Sequence, residues 1–227
     1  MKKNRIVFLM LMFYLFINFI TILPAQSRQF EISGNPDRTS LLSNDRNGFE
    51  VRFQVGKISV TEIKTKAGLF EELSIEGYSH TNRIGEPKLP MQSRIIAVPV
   101  GADVSFETTF RTEHIFSSKE AGLRHRLMPA QPSLSKSQDP EQVPFELNQT
   151  AYSRDVFNSD EMVRIEEIGY MRGVRLFQIF FEPLRYNPVS GDIVVSHDVQ
   201  VRVSFNHPDF SATDALLAKT ASYEFNR

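Results

Sequence analysis

GVRLFQIFFEPLRYNPVSGDIVVSHDVQVRVSF, residues Gly173–Phe205, decides the fold class. Its second part, DIVVSHDVQVRVSF (Asp192–Phe205), sets Ile193, Val195, Val199, Val201, Val203 and Phe205 on one parity. Ser196, Asp198, Gln200, Arg202 and Ser204 take the other. Successive side chains of an extended chain point to opposite faces, so this is a strand with one buried face. The first part, GVRLFQIFFEPL (Gly173–Leu184), is almost continuously apolar, the pattern of a strand covered on both faces. YNPVSGD (Tyr186–Asp192) between them is turn chemistry, so the two runs read as one hairpin.

The same alternation recurs upstream. FEVRFQV (Phe49–Val55) places Phe49, Val51, Phe53 and Val55 together, and Ile58 and Val60 resume on the opposite parity after Gly56-Lys57. A glycine at a parity change predicts a bulge or tight turn. Val104, Phe106 and Phe110 alternate with Ser105, Glu107 and Thr109. Helix signals are sparse, the best being SATDALLAKTASYEF (Ser211–Phe225) with Thr213 or Asp214 as cap. Residues 28–48 are polar and read as a loose arm, and 128–150 are Pro/Ser/Gln-rich and read as one long exposed loop. Loops of that length in compact domains are usually functional or disordered. The sum is an all-β chain, an antiparallel β-sandwich with a short C-terminal helical tail.

The 227 residues suit one domain, and 19 Phe with 41% hydrophobic residues can build its core. MKKNR followed by IVFLMLMFYLFINFITIL and PAQSRQ reads as an export signal over residues 1–25, with small Ala25 at the cleavage point. Asn18 and Thr21 weaken the apolar stretch as a permanent span, although an uncleaved anchor stays open. Removing 1–25 leaves 23 basic against 27 acidic residues, a net charge of −4. Nucleic-acid binding, which needs a basic surface, gains no support. There is no cysteine, so thiol catalysis, disulfides and a lipidated cysteine are all excluded. These features suit a bacterial protein exported to the periplasm and then secreted or held at the cell surface, touching membrane only through its signal segment.

No catalytic or metal constellation stands out. His80, His114, His125, His197 and His207 are scattered, without metal-ligand spacing, and no cofactor motif is present. His197 falls on the inward parity of its strand, where a structural histidine is the simpler reading. Asp45-Arg46-Asn47-Gly48 lacks the later Glu of a calcium loop and reads as a turn. Asn148-Gln149-Thr150 is a formal glycosylation sequon, uninformative in a bacterial protein. Glu161, Glu166 and Glu167 read as a solvated charged face rather than paired catalytic carboxylates. The chain does not read as an enzyme.

One stretch invites two readings. PSLSKSQDPEQVP (Pro132–Pro144) sets a lone Lys136 between Ser135 and Ser137. From the residues alone it is either a solvated linker or a segment that a partner reads through its ammonium group. GEPKLPMQSRIIAVP (Gly85–Pro99), LSKSQDPEQVPF (Leu134–Phe145) and FFEPLRYNPVSGDIVVSHDVQVRVSF (Phe180–Phe205), with the terminal YEFNR, together resemble the N-terminal propeptide domain of the gingipain family, secreted cysteine proteases of the Bacteroidetes. The likeness runs over about residues 45–227 in one order.

That resemblance implies a jelly-roll β-sandwich that inhibits a cognate cysteine protease and assists its folding during export, with the type IX secretion machinery as a further partner. It implies that Leu134–Phe145 enters the protease cleft, with Lys136 in the acidic specificity pocket and Ser135 and Ser137 beside it. It makes Arg227 the processing point. Arginine-specific members carry Arg where this chain has Lys136, so the pocket's preference between the two stays open here. An extended Ser/Gln segment would pair with the cleft's backbone edges while the ammonium meets a carboxylate. Pro132 and Pro140 would reduce the entropy lost on docking. The domain plan is then a signal at 1–25, a polar arm at 26–48, a sandwich at 49–210 carrying loop 128–150, and a tail at 211–227. Two other readings stay open. One is a carbohydrate- or surface-binding sandwich, against which stand the absence of Trp and the core parity of most Phe residues. The other is the N-terminal domain of a related sortase-like cell-surface protease.

Overall fold

The computed structural model describes residues 27–139, 142–159 and 161–220. The export segment with Ala25, and Arg227, lie outside them. The first half of the chain gives β1 (Arg28–Glu31), β2 (Arg38–Asp45), β3 (Gly48–Gln54), β4 (Lys57–Thr65), β5 (Gly68–Ser74), β6 (Ser79–His80), β7 (Pro90–Val98) and β8 (Asp103–Phe116). The second half gives helix α1 (Gln149–Ser153), β9 (Val163–Met171), β10 (Val174–Phe181), β11 (Leu184–Tyr186), β12 (Ile193–Asn206) and helix α2 (Phe210–Thr220).

These strands form three sheets, and every pairing between them is antiparallel. One runs β11-β12-β3-β2, with β8 also paired to β12; a second runs β6-β7-β10-β9; a third, smaller one runs β1-β4-β5. Val199, Val201 and Val203 of β12, Phe177, Ile179 and Phe181 of β10, and Ile58, Val60 and Leu73 of the small sheet share one core. The Phe53 ring of β3 stacks on Phe181 of β10 with centroids 4.3 Å apart, joining the two larger sheets. Burying a side chain of this size contributes about 1.5–3 kcal/mol, so this shared core supplies what disulfides cannot. The antiparallel sandwich with a short C-terminal helix agrees with the sequence pattern.

The parity change at Gly56 is where the chain leaves one sheet for another, since β3 belongs to the five-stranded sheet and β4 to the small one. A Cβ on Gly56 would lie 1.9 Å from the Asn35 carbonyl oxygen, so only glycine lets the two backbones approach.

The long hairpin read from Gly173–Phe205 is corrected. β10 and β12 lie in different sheets, and only the three residues of β11 pair with Ile193–Val195. The switch falls at Pro183, which has no N–H to continue a ladder; its carbonyl accepts from Ser196 N at 2.8 Å. Phe181 and Leu184 are both buried across the switch because both sheets face one core, which disguised it as a continuous strand. Nor is β10 covered on both faces: Phe177, Ile179 and Phe181 are buried, whereas outward Phe180 is covered by the Arg164 guanidinium at 4.2 Å.

Residues 28–48 are not a loose arm. β1 pairs with β4, and β2 pairs with β3 as an edge strand. β2 is largely exposed, so main-chain bonds rather than an apolar stripe hold it, and its sequence shows no alternation. Asp45–Gly48 is the expected turn, joining β2 to β3, with Asn47 N donating to Asp45 Oδ1 at 2.7 Å. On β8 the expected alternation builds a strand but not a core: Phe106 and Phe110 are 42% and 45% exposed. A bulge puts Phe106 opposite Val203 and Phe110 opposite Gln200, on different faces of an edge strand. Helix α2 is capped by Asp209, whose Oδ1 accepts from Ala212 N at 2.8 Å, rather than by Thr213 or Asp214. Those two dock the helix instead: Thr213 Oγ1 accepts from Val100 N at 2.9 Å, and Asp214 pairs with Arg46 at 2.8 Å.

Candidate functional site

Loop 128–150 is held at both feet and open at its tip. At its start, Lys88 N donates to Met128 O, Gly85 N to Ala130 O, and Ala130 N to Glu86 O, each at 2.8 Å. At its end, Asn148 N donates to Gly85 O at 2.9 Å, and the Asn148 side chain caps α1 by accepting from Ala151 N at 3.1 Å. Gly85 thus grips both feet with the main chain of a single residue. Its φ of +79° and the 2.9 Å from its Cβ position to Asn148 N exclude any larger residue without strain. Nearer the excursion, Gln131 and Glu146 exchange a reciprocal pair, Nε2 to the Glu146 carbonyl at 2.8 Å and Glu146 N to Oε1 at 3.0 Å.

Side chains steady the walls. Phe145 rests on Phe70 of β5 with centroids 5.3 Å apart, and Lys66 Nζ donates to the Val143 carbonyl. Between these walls and Lys64, Met128, Pro132 and Leu134 lies an open cavity of about 620 Å³. Beneath the start of the loop, fully buried Tyr152 of α1 donates from Oη to Leu127 O at 2.7 Å. Burial pushes its phenol well above the usual tyrosine value.

Ser135, Lys136 and Ser137 lie at the tip. They are not extended, as the sequence led one to expect, but closed into a turn by Gln138 N donating to Ser135 O at 3.1 Å. Ser135 N donates in return to Gln138 Oε1 at 2.8 Å, and the Ser135 and Ser137 hydroxyls lie 3.2 Å apart. Local side-chain bonds of this kind compete with extended backbone, which accounts for the difference. Beyond it, the Asp139 carbonyl accepts from Gln142 N at 3.1 Å. Lys136 is exposed, and among the described residues none pairs with its ammonium group. The arrangement projects one cation outward on a short, internally bonded turn. It cannot place a nucleophile and base together.

The other candidates stay apart. Glu166 pairs with Arg164, and Glu167 pairs with Arg175 at 2.7 Å, on successive residues of β9 that face opposite ways. The Arg175 hydrogen bond holds the Glu167 carboxyl below the usual range. His80 meets the Leu73 carbonyl at 2.9 Å, His125 lies 3.5 Å from Glu62, and His207 lies 3.6 Å from Asp103. His197 occupies the bulge between Ser196 and Asp198, and its carbonyl accepts from Val55 N at 2.9 Å. Among the described residues no group of three or more His, Asp or Glu is arranged to hold a metal ion.

Sequence reasoning missed the residues that frame the loop. Gly85–Lys88 stood out as a motif without a role, and it is the cradle of both feet. Glu71, fully buried below the loop's start, drew no notice, although it shares the parity of Leu73 and Ile75.

With this geometry in view, three comparisons bear on the chain. Residues 28–225 match the family model Propeptide_C25. Lys-gingipain of Porphyromonas gingivalis is 37% identical over 88% of this chain, which spans only 12% of that relative's length. Gingipain R2 of the same organism is 27% identical over 75% of this chain, spanning 22% of its length. A solved structure bearing on the zymogenic latency of gingipain K from P. gingivalis superposes with a TM-score of 0.74 at 36% identity, covering 80% of this chain and 99% of that one. A complex of the P. gingivalis RgpB pro- and mature domains shares the fold at a TM-score of 0.64 and 24% identity, covering 77% of this chain and 86% of that one.

Proposed function

The chain belongs to the C25 propeptide family, the non-catalytic prodomains of gingipains, and from that premise we propose that it keeps a lysine-reading cysteine endopeptidase latent by lodging Lys136 in the enzyme's specificity pocket. One observation carries this reading: the loop's exposed cation stands at the tip of a framed excursion, without a partner among the described residues. The higher identity to Lys-gingipain than to gingipain R2 supports a pocket that prefers lysine.

The turn at Ser135–Gln138 refines the mechanism. Proteases read substrates as extended strands, so a lysine offered on a turn delivers its side chain without laying the following peptide bond along the catalytic groups. The ammonium then meets a buried carboxylate while the backbone stays out of register for cleavage. Removing one partner of such a desolvated pair costs about 2–5 kcal/mol. Tethered in one precursor, inhibitor and enzyme see each other at an effective concentration on the order of millimolar. The mature domain of the same precursor is the partner proposed here, with Ser135 and Ser137 flanking the contact and Arg227 as the processing point. Export through Ala25 cleavage, assistance to folding and passage through the type IX machinery complete the reading.

The test is inhibition of the mature catalytic domain of P. gingivalis Lys-gingipain by the purified chain. Lys136→Ala should raise the inhibition constant at least about tenfold, the equivalent of 1.4 kcal/mol. Lys136→Arg keeps the charge but alters its shape, and should fall between the two. An unchanged constant for Lys136→Ala discards the pocket reading.

A further inference from the structure

Full burial of Glu71 has a use that its chemistry makes plain. Acidic side chains are almost never fully buried unless paired, and this one, on β5, has no exposed surface at all. Its Oε1 accepts from Arg28 Nη2 of β1. Its Oε2 accepts from the main-chain N–H groups of Arg124 and His125, at 2.8 and 3.1 Å. The main chain of the same residue completes the set: Glu71 N donates to Arg126 O at 3.0 Å, and Glu71 O accepts from Met128 N at 2.7 Å. Arg28 Nη1 also donates to the Gly122 carbonyl.

One residue therefore grips the segment leading into the loop at Arg124, His125, Arg126 and Met128. Among the described residues, none between Phe116 and α1 lies in a helix or a named strand. Without the carboxylate, two part-buried main-chain N–H donors would lose their acceptor, and the register by which residues 122–128 approach the cradle would rest on isolated bridges. A buried ion pair is a poor device for stability, because apolar replacements of equal volume are often as stable. It is an effective device for fixing one geometry among several, as a charge accepting several N–H bonds tolerates few alternatives.

We infer that Glu71, completed by Arg28, is the positioning residue of the Lys136 loop: it sets the loop's start so that the turn carries its ammonium to a fixed point. This inference rests on the reading of the loop as the protease-facing element. It makes the first strand, β1, part of the inhibitory apparatus, because loss of Arg28 leaves the Glu71 charge buried without its cationic partner.

A double-mutant cycle tests it, again with the mature catalytic domain of P. gingivalis Lys-gingipain. Glu71→Gln keeps the shape but turns an acceptor into an N–H group facing donors. It should raise the inhibition constant about tenfold. Added to Lys136→Ala it should raise the constant by less than twofold more, since presentation ceases to matter once the ammonium is gone. Arg28→Gln, a part-exposed change that is safer for folding, should follow the same pattern. In the free chain, amide exchange at Arg124, His125 and Met128 should quicken in both variants while the β12 amides stay protected. Where Lys136→Ala weakens inhibition, an undiminished Glu71→Gln effect on that background would overturn the inference, as would an unchanged constant in folded Glu71→Gln. If Lys136→Ala alone leaves inhibition intact, the pocket reading fails; the positioning of the loop by Glu71 is then read from exchange, and unquickened Arg124, His125 and Met128 amides in Glu71→Gln overturn it.

Discussion

Tyr152 is buried and Tyr78 partly so, both with their hydroxyls out of solvent, and they use those hydroxyls differently. The Tyr152 Oη donates to the Leu127 carbonyl at 2.7 Å, while the Tyr78 Oη meets no partner among the described residues. Removing a bonded hydroxyl strands a buried carbonyl, at a cost of about 1–3 kcal/mol. Removing one without a partner relieves a desolvation penalty instead. Tyr152→Phe should therefore lower stability by about 1–2 kcal/mol and Tyr78→Phe should leave it unchanged or raise it, both read from urea unfolding. A stabilised Tyr152→Phe would refute this account of the Leu127 bond. At this scale the sequence was legible where a residue broke a pattern. Lys136 stood out because nothing near it resembled it. Glu71 broke the core parity of Leu73 and Ile75 in LFEELSI just as plainly, but its partners Arg28, Arg124 and His125 are distant in sequence. No local pattern announces a hydrogen bond between residues 43 or 53 positions apart.

At the scale of elements, α2 is lightly tied. None of its residues is buried, and it is held by its Asp209 cap, by Val100 N on Thr213, by the Arg46–Asp214 pair and by Thr220 Oγ1 donating to the Arg172 carbonyl at 2.7 Å. Exposed ion pairs of this kind contribute little, about 0–1 kcal/mol. Asp209→Ala should remove about 1 kcal/mol of local helix stability. Amide exchange within Phe210–Thr220 should then quicken while the urea midpoint of the sandwich holds. A midpoint that falls in step with the helix would mean that α2 belongs to the cooperative core. Strand existence was legible from alternation, since β3, β4, β8 and β12 all fall where apolar alternation put them. Strand partnership was not. A run such as Phe181–Leu184 reads the same whether it stays in one sheet or crosses to the next, because both sheets bury side chains in one core. β1 and β2 escaped for the opposite reason: edge strands are held by main-chain bonds, which leave no mark on side-chain pattern.

For the molecule as a whole, pH acts unequally at its two ends. Burial raises the phenols of Tyr78, Tyr152 and Tyr186 above the ordinary value of 10.0. A group whose pKa is raised on folding contributes stability that is fully present below its unfolded value and is lost as pH rises beyond it. Through pH 10 and upward the unfolded chain releases these protons while the folded chain retains them, so unfolding gains with every step. On the acid side, Ser117 holds the Glu120 carboxyl and Arg175 holds the Glu167 carboxyl below the ordinary value of 4.5. Their contribution is present above that value and is lost as pH falls through their lowered ones. Both carboxyls lie at the surface, where solvent screens the interaction, so this limb is shallow. The urea midpoint should therefore hold level between about pH 5 and 9, decline gently below and fall steeply above about 10. The double variant Tyr78→Phe/Tyr152→Phe removes two of the three retained protons and should flatten the alkaline limb while leaving the acid limb alone. An alkaline limb as steep in the double variant as in the parent would show that lysine deprotonation or backbone strain, not the buried phenols, sets the upper boundary of the fold.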